Sequence, residues 1–192
     1  MPDKSIDCIE ASTFLGYDQV NSLDLSNNDL FVLDNKSFDG LTNLNSLVLN
    51  GNKIVLIKRD AFFNLTKLNE IMLASNRLKT IDNYTFNGLN SLALLDLSQN
   101  GLKNINEGAF NDLTSLDKLI LTQNNLTSFS FNYLRGLVRL SKLSLDKNQI
   151  ETITPYINSR KLYSRIDSMA PVNLLELDLS ENNLKSLNPN VN

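Results

Sequence analysis

Apolar residues recur along this chain in one fixed spacing. Leu44, Leu47, Leu49, Asn52 and Ile54 form one set, and Leu68, Ile71, Leu73, Asn76 and Leu78 repeat it 24 residues later. The pattern L-x-x-L-x-L-x-x-N-x-L, with conservative exchanges, begins at residues 20, 44, 68, 92, 116, 140 and 174. The step is 24 residues through the first six copies and 34 before the seventh, so ten residues are inserted there, within about 154–173. A second set of columns completes each unit. Phe38, Phe62, Phe86, Phe110 and Leu134 form one column, and Leu41, Leu65, Leu89, Leu113 and Leu137 another. Leu33, Ile57, Ile81, Ile105, Phe129 and Ile153 mark a further inward position.

The x-L-x-L-x stretch alternates with period two, which predicts a short strand with both leucines on one face. A single unit cannot bury that face, but stacked units can, so a fixed period of this length predicts a solenoid. Strands from successive turns would pair in parallel about 4.8 Å apart. Their leucines then merge into one core, each contributing roughly 1.5–3 kcal/mol. The recurring asparagine stands where the chain leaves the strand. Its amide carries donors and an acceptor that suit the backbone groups of neighbouring turns. Leu, Phe and these seven asparagines are therefore structural positions, and the whole of 1–192 is one repeat domain with a partial unit over 1–19.

Composition narrows the function. The net charge of −3 speaks against nucleic acid, whose phosphates call for clustered Lys and Arg, and against a polybasic membrane contact. No apolar run reaches the roughly 18 residues of a membrane span, and the first residues show no secretory signal. Asparagine makes up about 15% of the chain, well above ordinary usage. The absence of histidine removes Ser-His-Asp and Cys-His catalysis and His-based metal sites. The seven glycines form no phosphate-binding loop. Asp24 and Asp96 share an outward column but lie three turns apart, about 14 Å at the strand spacing, too far for a hydrolytic pair. A non-enzymatic protein without cofactor or metal is expected.

The 24-residue unit L-x-x-L-x-L-x-x-N-x-L-x-x-L-x-x-x-x-F-x-x-L resembles the leucine-rich repeats of animal extracellular proteins. Leu-Asp-Leu-Ser-Asn-Asn-Asp-Leu at 23–30 and Leu-Asp-Leu-Ser-Gln-Asn-Gly-Leu at 95–102 carry the likeness most closely. Toll-like receptor ectodomains, insect immune repeat proteins, adhesion receptors and matrix proteoglycans share this unit. The resemblance implies an α/β repeat solenoid, the leucine-rich-repeat horseshoe. Its parallel β-sheet lines the concave face, and loops, turns and short helices line the convex one. It implies recognition of a protein or pathogen-derived ligand by an extracellular domain. Alternatives are a homotypic matrix assembly or an intracellular scaffold.

The chain departs from those relatives at its ends, where cysteine-rich caps are usual. Ile6, Ile9, Phe14 and Gly16-Tyr17 fall in register with Leu30, Leu33, Phe38 and Gly40-Leu41, so the chain opens partway through a repeat and closes partway through another after Leu187. Bare ends expose apolar core, which suggests a fragment or, failing that, a homodimer that caps itself. The lone Cys8 shares a mixed column with Val32 and Leu56 and is expected to be half-exposed. The alternatives are a lost or an intermolecular disulfide.

Two binding regions are predicted. On the concave face, Val48, Met72, Leu94 and Ile120 form an apolar patch, accompanied by Asp96, Lys118 and Lys142. Exposed apolar clusters with polar rims mark interaction sites, although apolar residues also fill strands by propensity. The insertion carries Tyr156, Arg160, Lys161, Tyr163 and Arg165, a basic and aromatic cluster of the kind found at interfaces. Leu162, Ile166 and Met169 within it also fit a packed convex helix capped by Ser159. Four sequons, at Asn35, Asn64, Asn83 and Asn125, occupy outward columns and are candidate glycosylation sites. Their number is what composition alone predicts, so only their placement carries weight.

Overall fold

The computed structural model describes residues 5–155 and 173–185. Each repeat contributes a three-residue strand to one parallel sheet: β1 (Ser22–Asp24), β3 (Ser46–Val48), β5 (Glu70–Met72), β7 (Leu94–Asp96), β9 (Lys118–Ile120), β11 (Lys142–Ser144) and β13 (Glu176–Asp178). Between them lie β2 (Val32–Leu33), β4 (Leu56–Ile57), β6 (Thr80–Ile81), β8 (Asn104–Ile105), β10 (Ser128–Ser130) and β12 (Thr152–Thr154). These pair on the flank as β2–β4, β6–β8 and β10–β12. The register joins equivalent residues of successive repeats, as in Leu47↔Ile71 and Leu95↔Leu119. It survives the longer step, with Leu143 opposite Leu177. The inserted residues therefore leave the sheet undisturbed.

The opposite side is made of turns. Among the described residues the short helices expected there amount to one 3-10 helix, Phe131–Leu134, which begins where the Ser130 hydroxyl accepts the Asn132 N–H. Behind these turns Phe14, Phe38, Phe62, Phe86 and Phe110 stack ring on ring, with centroids 5.9–6.3 Å apart. Strands pair at roughly 4.8 Å. A stack whose aromatic side has the longer repeat bends toward its sheet, which makes the sheet face concave. Leu134 continues the column and is fully buried.

The asparagine column closes each turn. Asn52 Nδ2 donates to the carbonyls of Leu25 (2.9 Å) and Leu49 (3.0 Å), while its Oδ1 accepts the Leu30 N–H (3.1 Å). Asn76, Asn100, Asn124 and Asn148 repeat this set, and all five are buried. The backbone reaches this geometry through a left-handed residue just before each asparagine: Asn27, Gly51, Ser75, Gln99, Gln123, Lys147 and Glu181 have φ between 52° and 69°. Among the described residues no buried side-chain polar atom lacks a partner, which satisfies the requirement on polar groups inside a core.

The flanks carry ion pairs between repeats. Lys53 meets Asp29 at 2.6 Å, Lys58 meets Asp34 at 2.9 Å and Lys185 meets Glu151 at 2.7 Å. Lys58, then the Asn35 backbone N–H, hold the Asp34 carboxyl below its ordinary range. Cys8 is fully exposed rather than half-exposed. Among the described residues a neighbouring turn lies on one side of it only, so its column position does not cover it. Asp7 beside it raises the thiol, chiefly by a hydrogen bond to its side chain.

Candidate functional site

The concave sheet is the candidate site. Along each strand the leucine points into the core and its neighbours point out. The register therefore lays the outward residues in rows. One row runs Asp24, Val48, Met72, Asp96, Ile120, Ser144, Asp178. The row beside it places Leu94 between Glu70 and Lys118. Val48 and Met72 are thus adjacent, Asp96 separates Met72 from Ile120, and Leu94 shares a strand face with Asp96. The register thus sets Met72 and Ile120 on either side of the Asp96 carboxylate, with Leu94 on its own strand and Val48 one strand beyond Met72.

Burial differs from a simple outward reading. Val48, Met72, Leu94 and Ile120 are half-buried by their neighbours on the sheet, and Asp96 retains only 9% of its surface. Its Oδ1 accepts the Ser98 N–H at 2.8 Å, and the other oxygen takes no hydrogen bond from the described residues. The same local bond recurs wherever the strand reads Asp-Leu-Ser. Asp24 accepts the Ser26 N–H at 2.8 Å and Asp178 the Ser180 N–H at 2.9 Å. The Ser26 hydroxyl and backbone N–H depress the Asp24 carboxyl. The Ser180 N–H, its hydroxyl and Lys142 do so for Asp178.

The two predicted lysines part company. Lys142 pairs with Glu176 at 2.8 Å, and that hydrogen bond raises its ammonium above the ordinary value. Lys118, opposite Lys142 in register, is exposed and has no ion-pair partner among the described residues. Lys147 faces Glu181 at 3.7 Å, so the basic edge and the acidic residues beyond it are joined across repeats. Glu70 accepts a hydrogen bond from the Ser46 hydroxyl, and Asp146 one from the Thr122 hydroxyl at 2.6 Å.

Sequence reasoning passed over Ser98 as the group that holds Asp96. The signal was present in the recurring Asp-Leu-Ser triplet at 24–26, 96–98 and 178–180. The insertion residues Tyr156, Arg160, Lys161, Tyr163 and Arg165, with Ser159, Leu162, Ile166 and Met169, lie outside the described residues, as does Leu187. Asn35, Asn64, Asn83 and Asn125 are all exposed. Asn64 has φ 65° in the column that holds Gly16, Gly40, Gly88 and Gly136, so a left-handed turn accounts for asparagine there without a glycan. Among the described residues no helix is long and apolar enough to cross a membrane.

Comparison with known proteins agrees with this architecture. Residues 32–163 match the family described as BspA type Leucine rich repeat region, in six copies. Residues 3–54 match a second Leucine rich repeat family. The chain belongs to the leucine-rich-repeat proteins. Among solved structures it is similar to the leucine-rich repeat domain of APL1B, with 22% identity and a TM-score of 0.76 over 97% of this chain and 50% of that one. It is similar to the Toll–Spatzle complex of Drosophila, described as a hub in development and innate immunity, with 24% identity and a TM-score of 0.74 over 88% of this chain and 23% of that one. It also matches the TLR13–ssRNA13 complex, with 28% identity and a TM-score of 0.56 over 68% of this chain and 22% of that one. This chain spans half or less of each of those chains. No curated protein matches it. These likenesses fit the animal-type repeat expected from the sequence.

Proposed function

We propose that this domain is a non-catalytic recognition module of an extracellular protein of the immune or adhesion kind, and that it captures a protein ligand on its concave face. The observation that carries this reading is the seat formed by Val48, Met72, Leu94 and Ile120 around Asp96. Half-buried apolar side chains on a sheet that no described residue crosses present area that a partner can cover, and such centres supply most interface energy. Lys118 and Lys142 form the rim on one side. The likeness to the Toll–Spatzle complex supports the extracellular assignment, as does the exposed placement of Asn35, Asn83 and Asn125. The acidic outward columns favour a protein partner over an RNA, whose phosphates they would repel.

A photo-reactive residue tests the face. It is placed at Met72 in one sample and at Glu107 on the convex side in another, and each protein is exposed to extracellular fluid from its source. A discrete cross-linked protein at Met72 and none at Glu107 is expected. Cross-links at Glu107 alone would overturn the concave assignment.

A further inference from the structure

A third outward row follows the strands, through Ser26, Ser98, Asp146 and Ser180, and the three rows together are far more acidic than the rest of the molecule. They hold six carboxylates, Asp24, Glu70, Asp96, Asp146, Glu176 and Asp178, against the ammonium groups of Lys118 and Lys142. That is a formal excess of four negative charges, where the whole chain carries −3. Neutral donors steady most of these carboxylates: backbone N–H groups for Asp24, Asp96 and Asp178, and hydroxyls for Glu70 and Asp146. A neutral donor fixes a carboxylate's direction without cancelling its charge. The face is therefore a preorganised negative field.

Asp96 makes that field specific. It sits between Met72 and Ile120 in the apolar seat, only 9% exposed, and one of its oxygens takes no hydrogen bond from the described residues. A partner that covers Met72 and Ile120 must also cover Asp96, which lies between them in register. Burying that charge without a counter-charge is costly, so an apolar segment alone would bind poorly. Lys118 stands diagonally across from Asp96 and forms no pair with it.

We infer that the occupant of this face is a cationic protein segment whose apolar side chains rest on Val48, Met72, Leu94 and Ile120 while an arginine or lysine meets Asp96. Arginine fits best, because its fork pairs a carboxylate through two hydrogen bonds and is the less strongly hydrated of the two cations. This inference rests on the concave face being the binding face and adds the chemistry of what it takes.

The test uses a random peptide library displayed against the whole protein. Peptides that depend on Met72, losing binding to Met72→Ser, should be enriched in arginine or lysine beside apolar residues. Asp96→Asn keeps an oxygen for the Ser98 N–H but removes the charge, and it should weaken those peptides by about tenfold or more. Glu107→Gln on the convex side should leave them bound, and Asp178→Asn, two strands beyond Ile120 in register, should change little. Met72-dependent peptides that are neutral or acidic, or that ignore Asp96→Asn, would overturn the cationic occupant while leaving the concave face as the binding surface. A selection that yields no Met72-dependent peptide would overturn both.

Discussion

Asn76 reaches back across a whole repeat: its Nδ2 donates to the carbonyl of Leu49 at 2.9 Å, and also to that of Leu73 in its own turn at 3.1 Å. One side chain thus ties two successive strands at the point where both leave the sheet, and its Oδ1 accepts the Ile54 N–H at 3.0 Å. Asn76→Ala strands the buried Ile54 N–H and leaves the Leu49 and Leu73 carbonyls with one amide donor each, from Asn52 and Asn100. The expected loss is about 1–3 kcal/mol, the cost of one unsatisfied buried group. Chemical denaturation reads it as a lower midpoint, and an unchanged midpoint would show the column to be dispensable.

The aromatic column predicts a graded response. Phe86 stacks between Phe62 and Phe110, with centroids at 6.0 and 6.3 Å. Phe86→Ala should cost about 3–5 kcal/mol. Phe86→Leu should cost much less, about 1.5 kcal/mol, because Leu134 already fills the equivalent place with no exposed surface. Thermal unfolding of the two variants orders them.

Two glycines in one column should behave differently. A Cβ on Gly40 would lie 2.2 Å from the Phe14 carbonyl oxygen, and the residue has φ +103°. Gly40→Ala forces the first two turns apart and should cost well over 2 kcal/mol. Gly88 has nothing within 4 Å of such a Cβ at φ +79°. Gly88→Asn should be close to neutral, since Asn64 holds the matching position at φ 65°. Unfolding midpoints of the pair would reveal whether close approach or φ alone governs the column.

Stability should be flat across neutral pH. There is no histidine, the side chain whose ordinary pKa falls between about 5 and 8. Asp24, Asp34 and Asp178 are held below their ordinary value of 3.8. Depressed carboxylates stabilise the fold fully above that value, and this contribution is lost as pH falls through their folded-state pKa values. The melting temperature should therefore hold from about pH 5 to 8 and drop only below about pH 4. A step near neutrality would contradict this assignment of the titrating groups.

The repeat itself was legible because the large core side chains recur with a 24-residue step, so Leu47, Phe62 and Asn76 could each be placed from the sequence, whereas the small buried column of Ser37, Ala61, Thr85 and Ala109 could not. The left-handed column was not legible. Asn27, Gly51, Ser75, Gln99, Gln123, Lys147 and Glu181 share a φ but no side-chain chemistry. Exposure on the sheet was half legible. Alternation says that Asp96 points outward, but not that flanking Met72, Ile120 and Ser98 leave it 9% exposed. Burial depends on the width of neighbouring side chains in adjacent turns, which a strand pattern read along the chain does not contain. The basic and aromatic insertion was equally visible as an irregularity in the period, and its residues lie outside those described.

The central claim is that the seat around Asp96 is where a protein partner binds. The most direct measurement is the affinity of the whole protein for the partner cross-linked at Met72, compared with that of Met72→Ser, Ile120→Ser and the convex control Glu107→Ser. Loss of central interface side chains should weaken binding about tenfold or more for each seat variant, with the control unchanged. Equal affinity for all three variants, or a loss confined to Glu107→Ser, would contradict the account.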